Sequence, residues 1–182
     1  MSEQAKKYGA TAKWLHWLVG IIAIIMLIAG RMLESLPLDE RAVIIMGHSG
    51  LGTLVLILML ARLAWRRSHP PPAPLESMSA KQTRLSVYMH NSLYVLFILQ
   101  ALFGIGQATF LTEYSVVAFG LIDYSSLAAG NADLAKVFHV LHGLNSLLLT
   151  LLVIGHILAA LYHHLVQKDD ALRRMLPFGK VS

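Results

Sequence analysis

Residues 137–166 read VFHVLHGLNSLLLTLLVIGHILAALYHHLV and contain no Lys, Arg, Asp or Glu. About 20 apolar residues in a helix are enough to cross the hydrocarbon of a bilayer, so this stretch predicts a membrane-spanning helix. It is not a bland one. His142 and His156 stand 14 residues apart, which in a helix is roughly 21 Å of rise, with the two side chains within about 40° of one face. Imidazoles inside a bilayer-length helix are costly and usually functional, and this helix offers two at different depths. The pattern points to redox or metal chemistry.

Three further stretches of membrane-crossing length precede it, at 14–33, 43–65 and 85–111. Arg31 and Arg62 fall in the last turns of theirs, where long side chains reach the headgroups. Of the 182 residues 56% are hydrophobic and only 14% charged, with a mean hydropathy of +0.61; soluble domains carry roughly 25% charged residues. The expected fold class is therefore all-α, an integral membrane four-helix bundle forming a single transmembrane domain over residues 1–182. The first span lacks a small-residue cleavage site and carries Trp14, His16 and Trp17, so it reads as a retained helix and not a cleavable signal.

Charge sets the orientation. Twelve of the 15 Lys and Arg lie before span 1, in the last turn of span 2 or between spans 2 and 3, or after span 4, which by the positive-inside bias puts both termini and the loop from Ser68 to Lys81 in the cytoplasm. The net charge of +5 thus reads as a topology signal, with membrane lipid as the partner and no nucleic acid implied. All six prolines lie outside the spans, and Pro70, Pro71, Pro72 and Pro74 predict a stiff, extended connector. The outer connector, Glu113 to Lys136, is long enough for a short interfacial helix, which the sequence does not establish. Cysteine is absent, which removes disulfides, thiolate-bound clusters and covalent haem attachment.

Depth sorts the histidines. His48 lies seven residues past Arg41 and His142 six past Lys136, so both sit about 9 to 10 Å inside the outer boundary. His16 and His90 lie near the cytoplasmic ends of spans 1 and 3, facing the level of His156. Two sites stacked across the membrane are implied. Paired imidazoles with no carboxylate in any span suit a bis-histidine haem better than a hard cation, which would want oxygen ligands. Gly20, Gly47, Gly50, Gly52, Gly143 and Gly155 lie near these histidines, where missing side chains would admit a flat macrocycle. Close helix packing is the plainer account of any one of them. For a single buried histidine the plainer account is an interhelical hydrogen bond; four or five at matched depths make it less economical, because each unpaired polar group in hydrocarbon costs on the order of a few kcal/mol. His69 reads as solvated, His139 as a polar contact at the outer mouth and His164 as interfacial.

Trp14-Leu15-His16-Trp17-Leu18, Gly47-His48-Ser49-Gly50, His90, His142, His156, Tyr162-His163-His164 and Lys168-Asp169-Asp170-Ala171-Leu172-Arg173-Arg174-Met175 together resemble the bacterial cytochrome b561 family over essentially the whole chain. The resemblance implies a b-type cytochrome of the bacterial inner membrane with two non-covalent haem b groups, passing electrons between a quinone pool and a periplasmic donor or acceptor. Some members of the family act as superoxide oxidases, reducing ubiquinone. Carried over residue by residue, it implies that His48 and His142 hold the outer haem and favours His16 with His156 for the inner one. Depth alone leaves the inner pair open: His16 is three residues beyond Lys13, whereas His90 is six beyond Arg84. His90 stays an alternative ligand, or a polar contact to quinone or propionate.

A proton source for quinone reduction is also expected near the inner haem. His163, one heptad beyond His156, is the candidate catalytic residue, since an unperturbed imidazole titrates near neutrality. Arg62, Arg66 and Arg67 line the same boundary, with roles in holding propionates or quinone set against simple headgroup anchoring. On the outer side Arg31, Arg41 and Lys136 are the cations available to guide an anion such as superoxide. Two other classes stay open: a haem-bearing anchor that relays electrons for a separate dehydrogenase or hydrogenase, and a metal or proton transporter. The absence of intramembrane carboxylates speaks against the transporter.

Overall fold

Side-chain caps explain where the last two of the four long helices begin. The computed structural model describes residues 7–33 and 35–178; Lys6 and Lys180, counted in the charge distribution, lie outside the described residues. Four long helices carry the chain: α1 (Ala10–Leu33), α2 (Leu38–Ser68), α3 (Ala80–Phe110) and α4 (Ala132–Tyr162). Each contains a stretch long and apolar enough to cross a membrane. Helices α3 and α4 start five residues before the uncharged runs do, because capping and not lipid decides a helix start. Ser79 Oγ accepts from the Gln82 N–H while Gln82 Oε1 accepts from the Ser79 N–H, a reciprocal pair that satisfies two otherwise orphaned donors. Asn131 Oδ1 caps α4 through the Leu134 N–H at 3.0 Å, and Asp133 in the first turn suits the helix dipole.

Helix α1 packs on α2, α2 on α3, and α3 on α4. Among the described residues α4 makes no comparable contact with α1 or α2, which leaves a seam along the bundle. Val19, Val55, Met59 and Tyr94 fill the centre of the first three helices. The outward faces stay apolar: Ile28, Val43, Leu144, Leu151 and Leu158 are all exposed on the isolated chain, as lipid contact requires.

The connector between α3 and α4 contains no interfacial α-helix. It forms a small antiparallel hairpin, β1 (Val117–Ala118) and β2 (Ile122–Asp123), followed by one 3₁₀ turn at Tyr124–Ser126. Phe119 at φ 51 and Gly120 at φ 71 make the bend. Phe119 tolerates a left-handed conformation, uncommon for a bulky residue, while its N–H donates to Met46 O at 3.2 Å and its ring covers Gly50 of α2. The hairpin is anchored deeper by Tyr124, whose hydroxyl lies 2.6 Å from Thr53 Oγ1. This is the hairpin end of the bundle.

Both described chain ends and the proline connector meet at the opposite, termini end. Helix α4 leaves through a π-helical turn, His163–Gln167, and Lys168 turns the chain with φ 55. The tail then runs back under the bundle. Trp17 Nε1 donates to Met175 O at 3.0 Å, and Arg174 Nη1 donates to Ala73 O at 2.7 Å, pinning the proline connector.

Candidate functional site

The open seam between α4 and its two diagonal neighbours is bridged by imidazoles. At the hairpin end the ring centroids of His48 (α2) and His142 (α4) are 6.3 Å apart, with ring planes inclined by 69°. At the termini end His16 (α1) and His156 (α4) are 6.0 Å apart, inclined by 71°. The structure thus brings together the outer pair matched by depth and the inner pair favoured by the resemblance. His90 joins the second group from α3, 5.3 Å from His156, and its Nδ1 lies 2.6 Å from Ser86 O. Two imidazole nitrogens on opposite sides of one metal stand about 4 Å apart at bonds of about 2.0 Å, and the half-width of each ring brings the centroids to roughly 6 Å. The His48–His142 and His16–His156 spacings meet that requirement; His90–His156 falls short of it.

Both pairs contain a buried ring nitrogen without a hydrogen-bond partner, Nδ1 of His16 and Nδ1 of His48. Such an orphan costs on the order of 1–3 kcal/mol. Among the described residues no group of three or more His, Asp or Glu side chains is placed to hold a metal ion. Donors that come two at a time suit a metal whose remaining ligands belong to a macrocycle. A cavity of about 290 Å³ opens beside the hairpin-end pair. Its wall includes Arg31, Arg41, Gly52, Tyr114, His139 and Gly143. Arg31 and Arg41 are therefore at the mouth, whereas Lys136, on the exposed side of α4, is not part of the wall.

The glycines divide. A side chain at Gly20, Gly47 or Gly143 would begin in open space, but one at Gly50 would meet the Phe119 ring. Gly50 therefore serves the hairpin and not a macrocycle. Gly52 and Gly155 face the ends of Met26 and Met89. Two glycines that the sequence reading missed lie closer to the chemistry: Gly30 sits against His48 Cε1, and Gly104 against the His142 ring.

At the termini end Arg62 and Arg66 flank Tyr94, their guanidinium carbons 5.4 and 5.7 Å from the ring centroid. With Tyr8, Trp65, His69 and His90 they line a small pocket of about 40 Å³. Burial raises the Tyr8 hydroxyl above its ordinary pKa, although Arg66, Arg62 and Arg174 pull it the other way. Arg67 is exposed and outside that pocket. His69 is stacked on Trp65 at 3.8 Å. His163 is held by a residue that the sequence reading gave no role: its Nδ1 is 2.7 Å from Asp169 Oδ2. His139 lies 3.3 Å from Gln107 Nε2, a polar contact at the mouth as expected.

A helical membrane bundle that presents opposed imidazole pairs, with no thiolate available, is built as a b-type cytochrome. Comparison with known proteins agrees: the profile of the prokaryotic cytochrome b561 family matches residues 7–178, and the chain belongs to that family. It is 32% identical over 172 residues to a probable superoxide oxidase, CybB, of Yersinia pestis, covering 94% of this chain and 97% of the relative. It is 32% identical to cytochrome b561 homolog 2 of Escherichia coli K12, covering 97% of this chain and 94% of that protein. Cytochrome b561 homolog 1 of the same organism is 26% identical over 178 residues, 96% of this chain and 99% of that one. The protein is thus a haem b-containing, membrane-spanning electron carrier of a prokaryotic family.

Proposed function

We propose that the chain is a diheme, quinone-linked oxidoreductase of the bacterial inner membrane, exchanging electrons between a periplasmic partner at the hairpin end and quinone at the cytoplasmic termini end, with superoxide:ubiquinone oxidoreduction as its reaction. The observation that carries this reading is the pair of imidazole bridges, 6.3 and 6.0 Å between centroids, made by one helix at two depths. When bound, haem supplies reversible one-electron chemistry at each level. His48 and His142 would hold the first group, His16 and His156 the second.

The remaining residues do work of their own. Ser86 O fixes the Nδ1 side of His90, which leaves its Nε2 to contact a quinone oxygen or a propionate. Arg62 and Arg66, steadied on the Tyr94 face, present positive charge to a carboxylate or a quinone carbonyl. His163 keeps its Nδ1 proton shared with the accepting Asp169; a second proton taken up at Nε2 is the one it passes on as quinone is reduced. Arg31 and Arg41 at the opposite mouth favour the approach of a small anion. The relative named a probable superoxide oxidase supports this choice of donor.

The test is a reduced-minus-oxidised spectrum of the purified protein with haem quantified per chain, followed by ubiquinone reduction under a superoxide flux. Two bis-imidazole haems and superoxide-dependent quinol formation are expected. One haem or none sinks the diheme reading. Two haems with quinone inert unless a dehydrogenase or hydrogenase is added would make the chain a relay subunit.

A further inference from the structure

Gln100 of α3 engages both nitrogens of one imidazole. Its backbone carbonyl lies 3.0 Å from His142 Nδ1, and its side-chain Nε2 lies 3.0 Å from His142 Nε2. The side chain is itself oriented: Gln100 Oε1 accepts from Asn145 Nδ2 at 2.6 Å, and the same Asn145 nitrogen donates to Leu96 O at 3.0 Å. Asn145 is only 8% exposed, a buried polar residue in an otherwise apolar stretch of α4, so these bonds replace the water that it lacks.

The donors and acceptors fix one another. Because Gln100 Oε1 accepts from Asn145, Gln100 Nε2 is the donor toward His142. His142 Nε2 must then carry a lone pair, and the proton must sit on Nδ1, donated to the Gln100 carbonyl. That is the tautomer a metal-ligating imidazole needs, with one nitrogen tied to a backbone oxygen and the other free to give its electrons away. Nothing equivalent holds His48 or His16, whose Nδ1 atoms are buried without partners.

We infer that Gln100 and Asn145 are positioning residues for His142, fixing its tautomer and aim, and that they act on the hairpin-end site alone. The inference rests on the reading of His142 as a haem ligand. The Gln100 amide donates to the His142 lone pair that a haem iron would take, and because Oε1 is tied to Asn145 the positive N–H end of the amide faces that position. Beside a bound haem, that end would disfavour the more positive, oxidised iron. Removing it makes the hairpin-end haem harder to reduce.

The experiment is a redox titration of wild type, Gln100→Met and Asn145→Leu, following each haem by its absorption and by its low-spin electron paramagnetic resonance. At a fixed ambient potential the reduced-to-oxidised ratio of the hairpin-end haem should fall about tenfold in Gln100→Met, equivalent to 59 mV for a one-electron couple. A smaller fall is expected in Asn145→Leu, with the other haem unmoved in both. Unchanged ratios in both variants overturn the inference. Loss of both haems from both variants overturns it equally, since the action would then not be confined to one level. A wild-type protein with fewer than two haems, or a His142→Ala protein that keeps both, is instead a failure of the diheme assignment.

Discussion

His163 Nδ1 and Asp169 Oδ2 lie 2.7 Å apart and join the end of α4 to the tail that follows it. The same carboxylate accepts from the Ala171 N–H at 2.9 Å and from Ser77 Oγ at 3.1 Å, so one side chain ties the helix, the tail and the proline connector. Burial by itself would raise the Asp169 carboxyl; the bonds from His163, Ala171 and Ser77 outweigh it and hold the group below the ordinary carboxylate range. A depressed carboxylate contributes stability in full above its unfolded value, near 4. That contribution is lost as pH falls through the lower folded value. Asp169→Asn should therefore lower the Tm at neutral pH and remove the part of the acid destabilisation that begins below about pH 4, measured by thermal unfolding in detergent across pH 3 to 7. An unchanged acid profile would show that this carboxylate does not brace the fold.

His163 should matter to turnover and not to haem content. His163→Phe is expected to slow quinone reduction by about 10²-fold or more, the lower range for loss of a general acid, with haem per chain unchanged. A variant that keeps its quinone rate removes His163 from the mechanism.

The ligand assignment predicts separable losses. His48→Ala and His142→Ala should each remove the hairpin-end haem and spare the other; His16→Ala should remove the termini-end haem. His90→Ala should retain both, because its ring is 5.3 Å from His156 across two helices already packed together. Haem quantification by pyridine haemochrome decides, and a one-haem His90→Ala protein would make His90 the ligand.

Of the two glycines that face a paired imidazole, Gly30 and Gly104, the second is the tighter. A methyl group there would stand 3.0 Å from His142 Cε1 and 3.3 Å from Nδ1, so the ring must move by a few tenths of an ångström. Gly104→Ala should accelerate loss of the hairpin-end haem, followed by transfer to apomyoglobin, with the helical content of the protein kept.

Tyr124 closes the hairpin onto α2 through its 2.6 Å bond to Thr53. Tyr124→Phe leaves Thr53 its bond to Ser49 O and should cost about 1 kcal/mol, read as a lower Tm and faster proteolysis at residues 117–126.

The four spans were legible because lipid demands long uncharged runs, and the imidazole levels because α-helical rise is fixed. Partner choice was less so. His16 and His90 lie at similar depths, so depth could not choose between them; their different spacings from His156, 6.0 and 5.3 Å, follow from α4 packing on α3 with a seam toward α1 and α2. Gln100 and Asn145 carried a signal that went unused: amides inside apolar spans are costly and mark hydrogen-bonded neighbours. The role of Asp169 was hidden because a carboxylate just past a helix reads as solvated. The hairpin could not be foreseen from periodicity, since two-residue strands have none and Phe119 adopts a conformation that favours glycine.

The tail that clasps Trp17 and Ala73 through Met175 and Arg174 also orders events during biogenesis. The first helix enters the bilayer long before residues 174 and 175 emerge from the ribosome, so the buckle at this end snaps shut last. Until then the bond from Trp17 is unmade, and the seam between the fourth helix and the first is not yet clasped at this end.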